Sequence, residues 1–294
     1  MKKTLFAARS FLFVVVGLML FSGATDAAAI EPGTRIPLWD GEPPSSAAGD
    51  TFAPTLELHL LPGGESRGAV LVIPGGGYGG RAEHERTPIA KFFNSAGFHS
   101  FILDYRVAPN RHPAPLLDAC RAVRIIRGHA AEWSVKPDKI AALGFSAGGH
   151  LTGSLGLFYD ADYIRGMDPQ QDVRARPDAI VLCYPVISSA EFGHAGSFKN
   201  LLGPDTTDEA RKAMSLELHA RNDGPPAFLW STADDEAVPV RNSLEFAKAL
   251  RENGVPFELH VYPHGRHGLG LAKDDPHINT WTSLCAEWLK GMGW

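Results

Sequence analysis

Ser146 is the residue of this sequence best placed for covalent chemistry, because it stands in the middle of Gly-Phe-Ser-Ala-Gly at residues 144–148. A serine hydroxyl is a poor nucleophile unless the fold projects it and a nearby base takes its proton. The pattern predicts a sharp turn between a strand and a helix, in which the small flanking residues avoid a collision across the turn. Since three fixed positions also recur by chance, the interpretation depends on partners elsewhere in the chain.

Two later residues could provide the base and the acid that such a serine requires. His267 lies in a Gly-Arg-His-Gly segment that follows the last predicted strand, and Asp235 follows the strand before it. The order serine, acid, histidine along the chain is that of the α/β-hydrolase catalytic triad. Because parallel strands end at the same edge of a sheet, we expect Ser146, Asp235 and His267 to converge there.

Other residues compete for the same two roles. Asp234 could replace Asp235 as the acid, since loop registers are weakly determined by sequence. Among the histidines, His264 is nearer to the strand end, but the glycines around His267 let that loop fold over the serine. His150 follows the serine by one turn and is typical of a hydrogen-bonded helix histidine.

A glycine-rich segment, Pro-Gly-Gly-Gly-Tyr at residues 74–78, follows an early predicted strand. Glycine lets the backbone approach a substrate carbonyl closely and direct N–H groups at it. We predict that the amides of Gly76, Gly77 and Ala147 stabilise an oxyanion. Tyr78 is predicted to bind substrate, either through its amide in place of one of these or through a ring that forms a pocket wall.

These residues need elements that bring them together. Short apolar runs alternate with amphipathic stretches, which is typical of an α/β fold with a mostly parallel central sheet and helices on both faces. The predicted strands are residues 56–60, 69–73, 99–103, 139–143, 179–184, 227–231 and 257–262. The predicted helices are residues 87–95, 116–133, 147–157, 240–253 and 278–290.

Two polar segments rich in glycine and proline interrupt this alternation, at residues 158–177 and 187–223. Long insertions after strands in such folds lie over the carboxyl edge of the sheet, where ligands bind. We predict a small cap or rim at residues 187–223, with an ordinary surface loop as the alternative. His194 and His219 fall within it and are interpreted as surface residues that could touch a substrate.

The first 29 residues have the composition of a signal peptide. Lys2, Lys3 and Arg9 form a positive start, residues 11–21 are an apolar run too short to span a bilayer, and the alanines at 27–29 suit cleavage. We predict a signal peptide at residues 1–29 and a single catalytic domain at 30–294, exported to the periplasm or beyond the cell. An uncleaved membrane anchor is the alternative; after cleavage no membrane association is expected.

Composition argues against several classes of function. The formal net charge of −5 gives no electrostatic reason to bind nucleic acid. The 12 histidines show no metal-ligand spacing, and the glycines at 75–80 lack the acidic residue of a dinucleotide site, so we predict no metal and no cofactor. Cys183 is expected to be a buried hydrophobe, and a disulfide between Cys120 and Cys285 stays open.

Several motifs together resemble the acetyl-xylan-esterase and feruloyl-esterase-like branch of the α/β hydrolases, which is related to the hormone-sensitive-lipase-like esterases. They are residues 74–78, Asp-Tyr-Arg-Val-Ala-Pro at 104–109, and residues 144–151, 232–240 and 265–268. The resemblance covers about residues 37–288. Pro74 stands where the lipase-like esterases usually carry a histidine, which favours the carbohydrate-esterase branch.

The resemblance also implies roles that spacing alone does not assign. In the related chains the acid stands three residues before Val-Pro, which favours Asp235 over Asp234. Their Tyr-Arg-x-x-Pro segment braces the oxyanion loop, so Tyr105 and Arg106 are expected to be structural. Asp118, in the helix that follows, is expected to be structural as well.

The resemblance implies a secreted serine esterase that hydrolyses short-chain esters, acetyl above all, on plant-derived oligo- or polysaccharide. Ser146 would form an acyl-enzyme with the help of His267 and Asp235. A second hypothesis keeps these residues and changes the acyl group to feruloyl or another aromatic acid. A third, from a different class, is a catalytically silent binding protein on a hydrolase scaffold. The oligomeric state is left open by the sequence.

Overall fold

The computed structural model describes Met1 and residues 30–294, so the predicted signal peptide, apart from Met1, lies outside the described residues. The strands are β1 (Thr34–Pro37), β2 (Thr55–His59), β3 (Arg67–Ile73), β4 (His99–Asp104), β5 (Val135–Phe145), β6 (Ala179–Cys183), β7 (Ala227–Thr232) and β8 (Phe257–Tyr262). The α-helices are α1 (Thr87–Ser95), α2 (Ala114–Gly128), α3 (Ala147–Phe158), α4 (Ala195–Leu202), α5 (Asp208–Ala213), α6 (Arg241–Glu252) and α7 (Pro276–Gly291). No helix within residues 30–294 is both long and apolar enough to cross a membrane.

The strands form one eight-stranded sheet in the order β1-β2-β4-β3-β5-β6-β7-β8. β1 pairs with β2 and β2 with β4 in antiparallel fashion, and the other pairs are parallel. The central strands are continuous apolar runs because helices cover both of their faces. Every residue of β6 and β7 is buried for this reason. The predicted α/β fold with a mostly parallel sheet is confirmed.

Alternating side chains of the strands build a core on each face of the sheet. In β3, Leu71 and Ile73 pack with α2 and α3 on one face, whereas Val70 and Val72 pack with α1 and α7 on the other. Phe246 of α6 extends the first core along the sheet, where it packs against β6 and β7. The helices therefore lie on both faces, as predicted.

The structure differs from the predictions mainly at the ends of elements. α2 ends at Gly128, so the prediction that this helix reaches residue 133 is wrong. Trp133 instead lies in the turn before β5, where its indole stacks on His129 with ring centroids 4.5 Å apart. A buried turn and a helix can share the same apolar spacing, which is why periodicity alone does not separate them. β1 has no counterpart in the predictions because it is short and largely exposed.

The segment at residues 187–223 follows β6 and carries two helices of its own. His194 caps α4, because its Nδ1 accepts the N–H of Ser197, and Thr207 caps α5 in the same way through Ala210. A 3₁₀ turn at Leu216–Leu218 returns the chain towards β7. Because β6 ends beside Ser146, this segment lies at the carboxyl edge of the sheet.

The three cysteines are free and buried. Cys120 belongs to the core on one face of the sheet and Cys285 to the core on the other, so a disulfide between them is excluded. Burial raises the pKa of the Cys120 thiol to about 12, which keeps it protonated at neutral pH. These thiols therefore act as small apolar side chains.

Candidate active site

Ser146 lies on the turn that connects β5 to α3, in a backbone conformation that L-residues rarely adopt (φ 53°, ψ −119°). The glycines on either side are required by close packing. A Cβ at Gly144 would lie 2.1 Å from the carbonyl oxygen of Gly148, and one at Gly148 would lie 2.3 Å from that of Ile73. The turn is also tied to β6, because the amide of Ser146 donates to the carbonyl of Cys183 at 2.9 Å. The result is a projecting serine on a rigid support.

His267 and Asp235 meet this serine. Nε2 of His267 lies 2.8 Å from Oγ of Ser146, and Nδ1 lies 2.7 Å from Oδ2 of Asp235. Asp235 is buried, and its Oδ1 accepts the amides of Ala237 and Val238, each at 2.9 Å. Since a carboxylate accepts, Nδ1 carries the proton and Nε2 is left to accept the serine proton. The arrangement matches that of a serine, a general base and its orienting acid.

The rival residues form a separate pair at the surface. Oδ2 of Asp234 lies 3.0 Å from Nδ1 of His264, and Oδ1 accepts the amide of Gly265 at 2.7 Å. The hydrogen bond with His264 lowers the pKa of the Asp234 carboxyl most, and the hydrogen bond from the Gly265 amide lowers this pKa further. The His264 side chain is 86% exposed and does not contact Ser146. Asp234 therefore helps to anchor the loop that carries His267.

The glycine segment forms a tight turn beside Ser146. The carbonyl of Gly76 accepts the amides of Gly79 and Gly80, at 3.0 and 3.1 Å. Gly76 has φ 131°, and a Cβ there would lie 2.3 Å from the carbonyl oxygen of Gly80, so only glycine fits. Within residues 30–294, the amides of Gly76, Gly77 and Tyr78 donate to no protein acceptor. These amides are available to a ligand.

Ala147 adds a further amide on the other side of the serine. It is the first residue of α3, and the first N–H groups of a helix have no partner within the helix. The same helix end carries a partial positive charge. In the glycine turn, Gly75 approaches the serine, since a Cβ there would lie 3.0 Å from Cβ of Ser146, and the donor roles of Gly76, Gly77 and Ala147 stay a prediction.

The prediction that the Tyr78 ring binds substrate is wrong. The side chain is 2% exposed, and its hydroxyl donates to Nδ1 of His150 at 2.8 Å. Nε2 of His150 donates in turn to the carbonyl of Met214 at 2.8 Å. Burial lowers the pKa of His150 to about 4, which keeps it neutral and confirms its interpretation as a structural histidine. That the backbone amide of Tyr78 donates to the oxyanion stays a prediction.

The glycine turn is braced by a group of three buried residues, Tyr105, Arg106 and Asp118. The hydroxyl of Tyr105 donates to the carbonyl of Pro74 at 2.8 Å. Arg106 and Asp118 form a fully buried bidentate pair, with Nε and Nη2 of the arginine 2.9 and 2.8 Å from the two carboxylate oxygens. The backbone amide of Arg106 and the indole N–H of Trp39 add two further donors to Asp118. The expected structural role of these residues is confirmed.

His194 is a residue of the site that sequence reasoning placed at the surface. A Cβ on Gly77 would lie 3.9 Å from Cε1 of His194, and Asn200 donates to the carbonyl of Gly77 at 2.9 Å. Burial lowers the pKa of His194, and the nearby His267 lowers it further. α4 therefore lies directly against the glycine turn. The signal in the sequence was a histidine just before a helix of the predicted cap. That signal does not indicate which segment the helix packs against.

A groove of about 430 Å³ opens beside the histidine, and its lining includes four ionisable side chains. The groove is formed by Asp234, Glu236, Ala237, Gly265, Arg266 and His267. Arg266 is held in place because its guanidinium donates to the carbonyls of His267 and Gly268, at 2.8 and 3.1 Å. Carboxylates and a guanidinium can hydrogen-bond the hydroxyls of a polar ligand. Within residues 30–294 no group of three or more His, Cys, Asp or Glu side chains is placed to hold a metal ion.

A mostly parallel sheet with a serine after β5, an acid after β7 and a histidine after β8 is the architecture of the α/β hydrolases. The chain belongs to the BD-FAE family, whose model matches residues 56–250, more than half of the sequence.

Two curated relatives and one solved structure are close to this chain. It is 39% identical to an endo-1,4-beta-xylanase B of Butyrivibrio fibrisolvens, over 81% of the chain and 38% of the relative. It is 31% identical to an acetylxylan esterase of Xylanibacter ruminicola, over 79% of the chain and 47% of the relative. The chain thus spans less than half of these two proteins.

The crystal structure of an acetyl ester-xyloside bifunctional hydrolase from Caldicellulosiruptor lactoaceticus superposes with a TM-score of 0.86 and 46% identity. The match covers 91% of this chain and 99% of the other. These comparisons group the chain with the carboxylic ester hydrolases.

Proposed function

We propose that the protein is an exported serine esterase that removes short acyl groups, acetyl above all, from plant-derived carbohydrate. The observation that carries this proposal is the hydrogen-bonded series from Asp235 through His267 to Ser146. The nearby glycine turn adds amides that donate to no acceptor within residues 30–294. The acetylxylan esterase and the acetyl ester-xyloside hydrolase among the similar proteins support the substrate class. The substrate partner is thus an acetylated oligo- or polysaccharide.

The geometry supports a two-step mechanism through an acyl-enzyme. Oγ of Ser146 attacks the ester carbonyl while Nε2 of His267 accepts its proton, with Asp235 holding the imidazole in the reactive tautomer. The oxyanion of the tetrahedral intermediate accepts hydrogen bonds from the amides of Gly76, Gly77 and Ala147. Collapse breaks the bond to the sugar oxygen, which receives the proton from His267. A water molecule repeats the sequence and releases the acid.

We infer that the acyl group of a bound ester lies against α4, which would favour a short acyl group. α4 lies against the glycine turn through His194 and Asn200, where the acyl group of a bound ester would sit. The helix is held there by the hydrogen bond from Asn200 to Gly77 and by the buried Phe198. A feruloyl group would fit only if α4 moved away from the glycine turn. Release of ferulate is therefore one of the outcomes measured in the substrate test below.

The alcohol side is open and polar, which favours a sugar as leaving group. The groove beside His267 carries Asp234, Glu236 and Arg266 at its edge. The imidazole that protonates the departing oxygen forms one of its walls. Polar side chains at this position can hydrogen-bond the hydroxyls next to the cleaved ester.

Replacement of Ser146 by alanine tests the proposal. The variant should lose at least about 10⁴-fold in the rate of p-nitrophenyl acetate hydrolysis, since the nucleophile is removed. The control is Ser283→Ala, an exposed serine of α7 that should leave the rate unchanged. Retained turnover in the Ser146 variant would contradict the assignment. Failure of a fluorophosphonate probe to label the unaltered protein would instead favour a silent binding protein.

The acyl group is identified by measuring acetate and ferulate release side by side from acetylated and feruloylated xylan and pectin. Acetate release with little ferulate release is expected if the acyl group lies against α4. Predominant ferulate release would replace acetyl by an aromatic acyl group in the proposal. Sequencing the amino terminus of the protein recovered outside the cytoplasm tests cleavage near residue 30.

A further inference from the structure

Glu85 is a buried carboxylate beside the site that the mechanism above does not use. It ends a 3₁₀ turn between β3 and α1 and is 2% exposed. Oε2 accepts the amide of Gly75 at 2.7 Å, and Oε1 accepts the hydroxyl of Tyr184 at 2.7 Å. A Cβ on Gly75 would lie 2.8 Å from Oε2 and 3.0 Å from Cβ of Ser146. The carboxylate is therefore separated from the nucleophile by the width of one residue.

Tyr184 extends these contacts to the loop of the catalytic base. Its hydroxyl, which donates to Glu85, accepts the amide of Gly270 at 2.8 Å. Its ring packs edge-on against the imidazole of His267, with ring centroids 5.0 Å apart. Burial and the Glu85 carboxylate raise the pKa of Tyr184 well above its ordinary value, so the phenol stays protonated and keeps donating. One continuous series of hydrogen bonds thus runs from Gly75 to Gly270.

The neighbouring His84 provides a second connection between the same two segments. Its Nε2 donates to the carbonyl of Gly268 at 3.0 Å. Residues 84 and 85 therefore contact the backbone on both sides of Ser146: the base of the glycine turn through Gly75, and the histidine loop through Gly268 and Gly270.

The chemistry of Glu85 does not fit a role in core stability alone. Both of its oxygens accept from neutral donors, and among the described residues no lysine or arginine nitrogen lies within 4 Å of them; the half-exposed His84 lies 3.6 Å away. Burying a carboxylate without a close cation costs free energy that an apolar side chain of similar size would not incur. A buried acid at such a cost, placed between the glycine turn and the histidine loop of the candidate active site, indicates a functional role.

We propose that Glu85 is a positioning residue of the esterase, acting through Gly75 on the oxyanion donors and through Tyr184 on the loop of His267. It keeps the donor amides and the base at a fixed separation around Ser146. Because transition-state stabilisation depends on donors that are held in place before reaction, loss of this connection lowers the rate more than it lowers binding. The inference rests on the proposed function.

The test compares Glu85→Gln with Tyr184→Phe in the full-length protein. Glutamine keeps the size of the side chain but has a single acceptor oxygen, so it cannot accept from both the Gly75 amide and the Tyr184 hydroxyl. Phenylalanine keeps the ring against His267 and removes only the oxygen. Each variant should lose about 10- to 10²-fold in kcat on p-nitrophenyl acetate, with KM changed by less than about threefold. The double variant should be no slower than the slower single variant, because both remove the same connection.

The matched control is Glu83→Gln, in the same turn, whose side chain is 87% exposed and should leave kcat unchanged. The rate of Ser146 labelling by a fluorophosphonate, per folded molecule, should fall in parallel with kcat, which a loss of stability alone would not produce. Wild-type kcat in folded Glu85→Gln and Tyr184→Phe, or additive losses in the double variant, would overturn the inference. If Glu85→Gln does not fold, Tyr184→Phe decides alone. If the proposed function itself is wrong, this will be seen in a different experiment, because the Ser146→Ala protein will keep its activity.

Discussion

Asp234 and Asp235 are neighbours in the chain, yet they have different surroundings. The Asp235 side chain is fully buried and accepts three hydrogen bonds, from the His267 imidazole and two backbone amides. The Asp234 side chain is 52% exposed and pairs with a surface histidine. A carboxylate held by backbone amides can keep an imidazole in one tautomer. A solvated carboxylate has no fixed direction and cannot do so. At the scale of single residues, burial separates the two candidates.

Asp235→Asn is expected to lower kcat by about 10⁴-fold, because the amide would present its NH₂ to the imidazole and favour the wrong tautomer of His267. KM should change little, since Asp235 does not face the substrate. The rates are measured with p-nitrophenyl acetate at neutral pH. The comparison variant is Asp234→Asn, which should lose far less than Asp235→Asn, because Asp234 anchors the loop of His267 without contacting the imidazole. A large loss in the comparison variant with none in Asp235→Asn would reverse the assignment.

At the scale of elements, we propose that α4 limits which acyl groups fit. The helix begins at the His194 cap and packs on Gly77, so the width of the acyl side depends on how this short helix sits on the glycine turn. Neither element forms the acyl side alone. Specificity for short acyl groups is thus expected to be a property of this contact.

His194→Ser should raise the ratio of kcat/KM for p-nitrophenyl butyrate to that for the acetate by about tenfold or more, since one or two methylenes in a pocket are worth about 1–3 kcal/mol each. Serine is chosen because it can still cap α4. Thr207→Ser, the same kind of cap change on α5, serves as control and should leave the ratio unaltered. An unchanged ratio in folded His194→Ser would show that the acyl chain does not meet this residue.

At the scale of the whole molecule, buried histidines make stability depend on pH. Burial lowers the pKa of both His150 and His112 to about 4. The unfolded chain binds these protons at about pH 6.5, whereas the native state binds them only near pH 4. The unfolded state thus holds more protons across this window, and the free energy of unfolding falls as the pH drops through it.

The free energy of unfolding should therefore decrease between about pH 6.5 and pH 4, with His150 contributing about 3 kcal/mol of the total. Urea unfolding followed by tryptophan fluorescence at several pH values measures the slope. His150→Gln should flatten the slope even where it lowers stability at neutral pH. His264→Gln, at the exposed surface, should not change it. Equal slopes in all three proteins would show that His150 titrates alike in both states.

Much of this architecture could be predicted from local patterns. The central strands are apolar on both faces because the sheet is covered twice, so β3, β5 and β7 are visible as short hydrophobic runs. The glycines beside Ser146 are needed by the turn itself, so their spacing indicates the turn without any tertiary contact. The order of Ser146, Asp235 and His267 after successive strands then predicts convergence, because parallel strands share one carboxyl edge.

The misplaced residues all depend on contacts between distant segments. Tyr78 follows three glycines and suggests a ligand contact, but its ring turns inward because His150 offers a buried acceptor. His194 has the pattern of a surface residue until α4 packs on Gly77. Trp133 continues the apolar spacing of α2, yet it packs in a turn.

Local spacing and strand order were enough to predict the mostly parallel sheet, the turn at Ser146 and the convergence of its partners. Only the folded chain shows that Asp235 is buried against the histidine, that α4 packs on the glycine turn, and that Glu85 and Tyr184 connect the two halves of the site. Those outcomes depend on which side chains are buried together across about 100 residues of sequence, as in the 99-residue separation of Glu85 and Tyr184. Local patterns carry no information on such pairs, since burial and hydrogen-bond partners arise only when the whole sheet has formed.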